Sequence, residues 1–356
     1  MKSKLPILCV LATALTMQSA SSLAFGIAAQ GVFSTYGQPV HETITQNAVL
    51  ASGLLNANQT QEMKHLIEGV RFNDDPEGFL LEGTKFDGKG VAAFALKFLG
   101  GKGKKEDPTK ASHFGNYQFL HAMGNSDMNA EEIKEKIILY IYHCWRMATE
   151  VDSLAKFNAD YEKVLLQENQ KDPNFKYTRD QIIVRRAAML FPKEVLSFHA
   201  SNQLQFQYRA LGSLLHVIQD SYSKGHVVRH GWQEGSNSGK ILYFQNYGEQ
   251  DSHEHGALDN HKSGKTNNSN FFEIPGTEIA FERSKQVMMK IVQQCPWVSA
   301  GLAASPSCER SFFNFLDQEI FAFDENTGLD ARGTHSHPDL VPKPSPPTDP
   351  YPSGGG

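Results

Sequence analysis

Apolar residues recur at intervals of three and four along most of this chain, a periodicity that predicts helices. The pattern gives a helix over 42–51 and another over 61–70. From Ala130 to about Glu168 the apolar positions Ile133, Ile137, Ile138, Ile141, Trp145 and Met147 predict one or two long helices. Asp180–Phe191 is a further helical segment. After Pro192 the pattern runs on from Lys193 to Ser221 as one long helix, with Val195, Leu204, Leu211, Leu215 and Ile218 turned inward. Thr277–Gln294 is expected to be the last substantial helix. Strand-like alternation is confined to Ile241–Tyr247, and the Gly- and Asn-rich stretches 235–240 and 263–270 read as surface loops. The class that follows is all-α: a multi-helix single domain with long loops.

The two ends depart from this pattern. Lys2 and Lys4 precede an apolar run from Leu5 to Met17, and Ser22-Leu23-Ala24 supplies small residues before a cleavage point. Residues 1–24 therefore read as a secretory signal, with a mature chain of 332 residues starting at Phe25. The run is too short to span a bilayer, and nothing later supplies about 18 to 20 continuous apolar residues. Residues 335–356 are rich in Pro and end in three glycines, the composition of an unstructured tail; 25–334 form the domain. There is no internal repeat.

Charge and cysteine narrow the picture. Loss of Lys2 and Lys4 leaves 32 basic and 39 acidic side chains, a formal charge of −7, which disfavours nucleic acid as a partner held through a basic surface. Cys295 and Cys308 are spaced to close a short loop, whereas Cys144 lies in an apolar helical run and reads as a buried thiol. The apolar run Val91–Leu99 is flanked by Lys89, Lys102, Lys104 and Lys105. It reads first as a buried helix followed by a basic loop, and alternatively as an element that presses on a lipid surface.

The chemistry is concentrated in histidine. Six of the 14 histidines fall between His216 and His261. His216 and Asp220 are four apart and share one helix face. His226 follows six residues on, beyond Gly225, and His255 with Asp259 repeats the four-residue spacing. Imidazole nitrogen with carboxylate oxygen is the ligand set that suits zinc. His65, His143 and His199 read as ordinary buried histidines on helices, and Tyr222, His230 and Trp232 as neighbours of the ligands.

His-x-x-x-Asp, then His, then His-x-x-x-Asp resembles the trinuclear zinc site of the zinc-dependent phospholipase C and single-strand nuclease superfamily. Further segments are similar: Phe25-Gly26 stands where that family has an N-terminal Trp, His41 lies in Pro-Val-His-Glu, Asp74 in Phe-Asn-Asp-Asp-Pro, and His113 in Ser-His-Phe-Gly-Asn. The resemblance implies three zinc ions in a mainly helical domain. The first would take Asp74, His113, His216 and a bridging Asp220. The second would take the Phe25 amine and carbonyl, His41 and the other oxygen of Asp220. The third would take His226, His255 and Asp259. Asp75 competes with Asp74, His121 with His113, and His253 with His255.

Such a cluster places positive charge where the oxygens of a phosphodiester sit, and Asp74 is the candidate general base. The expected protein is a secreted phospholipase C acting on glycerophospholipids at a membrane surface. A single-strand nuclease with the same zinc ligands, and an exported module whose metal is only structural, are the alternatives.

Overall fold

The computed structural model describes residues 39–78, 107–125, 127–149, 153–232, 237–250, 258, 271–294, 306–325 and 327. Residues 1–24, expected to be a leader, Phe25, the Val91–Leu99 run, His253, His255, Asp259 and residues 335–356 lie outside the described residues. The architecture is all-α, with ten α-helices among the described residues and one two-stranded ribbon. In chain order the helices are α1 (Val40–Ser52), α2 (Thr60–Phe72), α3 (Pro108–Phe114), α4 (Ala130–Ala148), α5 (Leu154–Gln170), α6 (Arg179–Ala188), α7 (Lys193–Leu196), α8 (Gln203–Asp220), α9 (Thr277–Gln294) and α10 (Pro306–Phe315).

Local chemistry sets several of these boundaries. Asn129 and Glu132 form a capping box at the start of α4, and Thr178 and Gln181 form another at α6. Ser153 and Asn202 accept from the third-residue amides of α5 and α8. Proline opens α3 at its first turn, and Gly53, at φ 73°, closes α1 in the left-handed region.

The centre of the molecule is α8, every residue of which from Phe206 to Asp220 is buried. It lies chiefly against α2 and α4, while α9 packs on α1 and closes the remaining side. The α2–α8 crossing is unusually close. A Cβ on Gly212 would lie 2.1 Å from the Leu66 carbonyl oxygen, and one on Gly69 would lie 2.2 Å from that of Arg209. Two glycines therefore let two backbones touch, and the close approach puts polar groups of the two helices within reach. Asn73 donates to Leu120 O at 2.8 Å and accepts from the Ser213 hydroxyl. Arg209 donates to Glu68 Oε2 from Nε at 3.0 Å and from Nη2 at 2.9 Å.

The expected single helix over 193–221 is broken. Phe198 and His199 take φ values of 55° and 49°, which end α7 after one turn and reverse the chain before α8. The apolar periodicity runs through this break because Phe198 is itself buried against Phe72, with ring centroids 5.0 Å apart. Arg209 then stabilises the strained turn by donating to the carbonyls of Phe198 (3.2 Å) and His199 (2.9 Å). Leu204, expected to face inward, is 37 % exposed near the start of α8. The Ala130–Glu168 stretch is two helices, and α10 follows the helix expected to be last.

The ribbon pairs Val227–Arg229 (β1) with Ile241–Phe244 (β2) antiparallel, in register Val227↔Phe244. Arg229 is buried and donates to the carbonyls of Ser221, Gly239 and Ile320 at 2.6, 3.1 and 2.8 Å. The Ser221 and Ile320 carbonyls end helical segments, so the guanidinium meets helix C-terminal dipoles in place of a carboxylate. Burial nevertheless lowers its pKa from the ordinary arginine value. Cys308 is disulfide-bonded, and Cys144 is a buried free thiol whose pKa burial raises.

Gly212→Ala is expected to destabilise the protein by about 1–3 kcal/mol or more, because backbone rather than a flexible side chain occupies the space. Leu165→Ala, on a half-exposed residue of α5, is expected to change stability by less than about 0.5 kcal/mol. Urea unfolding followed by circular dichroism measures both.

Candidate metal centre

The end of α8 carries His216 and Asp220, and the fold brings residues from five other places in the chain to them. His41 comes from the first turn of α1. Asp74 lies two residues past α2, in a loop whose Pro76 carbonyl accepts from His199 Nε2 at 2.7 Å. His113 sits near the end of α3, and His121 ends the 3-10 turn Gln118–His121. His226 follows α8 after a tight turn in which its N–H donates to Ser223 O at 3.0 Å. All seven side chains are essentially removed from solvent.

They form three overlapping groups, each able to hold a metal ion: His41, His216 and Asp220; Asp74, His113 and His121; and His121, Asp220 and His226. Asp220 is common to two groups. Its Oδ1 lies 3.1 Å from His41 Nε2, and its Oδ2 lies 2.9 Å from both His216 Nε2 and His121 Nδ1. Asp74 Oδ1 lies 3.8 Å from His113 Nε2 and 4.0 Å from His121 Nε2.

The imidazoles are oriented from behind. His216 Nδ1 donates to Val70 O at 2.7 Å, His226 Nδ1 to His121 O at 2.7 Å, and His113 Nδ1 to Thr109 O at 3.2 Å. A carbonyl only accepts, so each of these Nδ1 atoms carries the proton and Nε2 keeps its lone pair. His41 Nδ1 is matched in the same way by Gln219 Oε1 at 2.6 Å. The amide orientation is fixed because Gln219 Nε2 donates to Thr45 Oγ1 at 2.8 Å and Ser284 Oγ at 3.3 Å. Backbone carbonyls and a buried amide thus aim four imidazoles, which is the second layer that metal-ligating histidines require.

The charge state fits as well. Burial pulls the His216 pKa down to about 4, with nearby His41 acting in the same direction. Burial also holds His121 well below its ordinary value, against the pull of its hydrogen bond to Asp220. Both rings are neutral at pH 7 and able to ligate. Burial alone would raise the Asp220 carboxyl, but His226, His216 and His41 and the His121 hydrogen bond outweigh it and keep the group ionised. Every ion-pair partner of Asp220 among the described residues is a histidine. A divalent cation is the counter-charge that such a buried anion lacks. His121 Nε2 is buried without a hydrogen-bond partner and faces Asp74, the position of an atom awaiting a ligand bond.

Sequence expectation and structure differ in grouping. His216 was expected beside Asp74 and His113; it pairs instead with His41, stacked at 4.0 Å between ring centroids. His121 takes its place next to Asp74 and His113. The two histidines weighed against one another, His113 and His121, both belong to the centre. His121 is hard to read from sequence because a 3-10 turn has no amphipathic period to mark which face it presents. Gln219 was also missed, since an amide beside a ligand has no signature of its own. Of the expected neighbours, His230 is 72 % exposed and Tyr222 is buried under the Arg229 guanidinium, 4.1 Å from its ring. His65 contacts Glu68 at 2.8 Å and His143 bonds Leu196 O at 3.2 Å, both within the core. Compared with family models, curated proteins and solved structures, the chain matches none of them, so its own geometry carries the reading.

His121→Ala and His216→Ala are each expected to lose at least one equivalent of bound metal per chain, measured by elemental analysis after gel filtration. Full metal content in His121→Ala would remove that residue from the centre.

Proposed function

We propose that this protein is an exported phospholipase C, a zinc metalloenzyme that cleaves the phosphodiester of glycerophospholipids to diacylglycerol and a phosphorylated headgroup. The observation that carries this reading is the continuous buried array of five imidazoles and two carboxylates, joined through Asp220 and His121. A structural zinc site closes with four ligands, whereas seven donors in overlapping groups suit more than one ion with positions left for substrate. The resemblance of His216-x-x-x-Asp220, His226, His41, Asp74 and His113 to the zinc-dependent phospholipase C superfamily supports three ions. The third would draw on His255 and Asp259, and the second on the Phe25 amine. Cys308 in a disulfide supports export to an oxidising compartment.

Zinc bound at such a centre polarises a phosphoryl oxygen and acidifies water. The remaining chemistry falls to the chain. Asp220, ionised and ringed by imidazoles, holds the two halves of the array together. Asp74, within 4.0 Å of two imidazole nitrogens, takes a proton from the attacking water as its oxygen bonds to phosphorus. As that bond forms the phosphorus–oxygen bond to glycerol breaks, and the proton taken up by Asp74 passes to the departing oxygen, which leaves as the hydroxyl of diacylglycerol. His113, oriented by Thr109 O and Ser112 Oγ, presents its Nε2 lone pair beside Asp74, 3.8 Å from Oδ1, where the two could share one ion. No described helix is long and apolar enough to cross a membrane.

The deciding assay offers the mature chain phosphatidylcholine vesicles and single-stranded DNA, each with and without chelator. Diacylglycerol and phosphocholine released only without chelator is the expected outcome; DNA cleavage alone would move the protein to the nuclease reading with the same ligands. Metal-dependent folding with neither product would leave a structural cluster. Asp220→Asn is expected to lower lipid turnover at least about a thousandfold, in line with loss of a group shared between metals. One extra residue kept before Phe25 is expected to reduce turnover, and unaltered turnover would remove Phe25 from the ligands.

A further inference from the structure

The residues on either side of Asp74 each bind a different segment of the centre. Asn73 is buried at the end of α2. Its Nδ2 donates to Leu120 O at 2.8 Å and to Ser213 O at 3.3 Å, and its Oδ1 accepts from the Ser213 hydroxyl. Leu120 precedes His121 in the 3-10 turn, and Ser213 lies three residues before His216 on α8. Two carbonyls at one end of the amide and a hydroxyl at the other leave it a single orientation. The hydroxyl is fixed in turn. Ser213 Oγ gives its one proton to Asn73, so Tyr140 Oη, 2.7 Å away, donates to Ser213. Burial raises the Tyr140 pKa well above the ordinary phenol value, and the phenol keeps that proton. A chain of donors therefore runs from Tyr140 through Ser213 and Asn73 to the Leu120 carbonyl.

Asp75, on the other flank, is also buried. Its Oδ1 accepts from Thr109 Oγ1 at 3.0 Å, and Glu77 N donates to the same hydroxyl at 3.1 Å. Thr109 belongs to α3, and its carbonyl is the acceptor for His113 Nδ1. Asp74 is thus tied to the His121 turn through Asn73 and to the His113 helix through Asp75. The His41–His216–Asp220 group is held by different atoms, Gln219 Oε1 behind His41 and Val70 O behind His216.

We propose that Asn73 is a positioning residue, assisted by Asp75, that sets Asp74, His113 and His121 at the spacing of a preformed metal site. This group then takes its ion apart from the His41–His216–Asp220 group. Asn73 does not touch the ion; it acts through the backbone of Asp74 and of Leu120–His121. Ligands held in place before the ion arrives lose little freedom on binding it, and partners behind metal ligands are worth about ten- to a hundredfold in affinity. The inference rests on the metal reading above and adds the residues that tune one half of the array.

The test competes zinc out of the loaded full-length protein with a chromogenic chelator and resolves the release steps. His113→Ala and His41→Ala identify which step belongs to which group. Asn73→Ala is expected to weaken the step that His113→Ala removes by about tenfold or more, and to leave the step that His41→Ala removes within about twofold. Thr109→Val deletes the hydroxyl that holds Asp75 and is expected to weaken the same step by a smaller factor; it decides the matter should Asn73→Ala not fold. Equal weakening of both steps, the mark of general loosening, would overturn the assignment, as would no weakening of either. A wild type that holds zinc while His113→Ala removes no step would overturn it and leave the other group standing. A wild type that holds no zinc would overturn the metal reading and this inference with it.

Discussion

Contact between two helix backbones, α2 against α8, is the constraint on which the rest of this protein is built. Gly69 and Gly212 remove the side chains that would hold the axes apart. The gain is reach. With the backbones touching, the Val70 carbonyl is close enough to orient His216, and Asn73 bonds to both Ser213 and the Leu120 carbonyl just before His121. Asp74 leaves the end of α2 into the space opened beside α8. Wider helix spacing would leave the same residues facing each other across a gap, and the ligand nitrogens could not converge.

A cost accompanies that convergence. Seven polar side chains in a dry interior give up hydration, and Asp220 stays ionised there with imidazoles for company. The chain offsets part of this by giving the Nδ1 atoms of His41, His113, His216 and His226 an oxygen acceptor, so that the exposed demand of the cluster is reduced to lone pairs and carboxylate charge. What remains is the demand a divalent cation satisfies. The same donors that make the interior expensive without a cation are those that could hold one, and a bound metal would then couple folding to metal uptake.

Outside the array, irregular segments do the positioning that helices cannot. The turn at Phe198 and His199 costs backbone strain, yet it delivers His199 to the Pro76 carbonyl and so steadies the loop that presents Asp74. The short ribbon and the residues after it carry Tyr247 back over the imidazoles. Arg229, buried among carbonyls, ties the end of α8 to the Leu316–Ile320 turn and thereby fixes the strand that follows His226. Regular helices supply the rigid wall, and these connections aim the chemistry.

Residue pattern alone determined the helical class, most helix positions, and the pairing of His216 with Asp220 on one face. These depend on neighbours three or four apart, and local geometry fixes what such neighbours do. Spacing also marked His226 as a candidate, while His41, Asp74 and His113 came from the resemblance to the zinc-dependent phospholipase C and single-strand nuclease superfamily. Only the tertiary structure decided which of them share a group. His41 meets Gln219 and His216 across a separation of more than 170 residues, and His121 enters from a turn with no periodic signature. The break at Phe198 was hidden for a related reason: a buried side chain in a reversed turn continues the apolar rhythm of the helix it interrupts. Periodicity records burial and not direction, so the convergence of distant ligands waits on how closely two helices are allowed to pack.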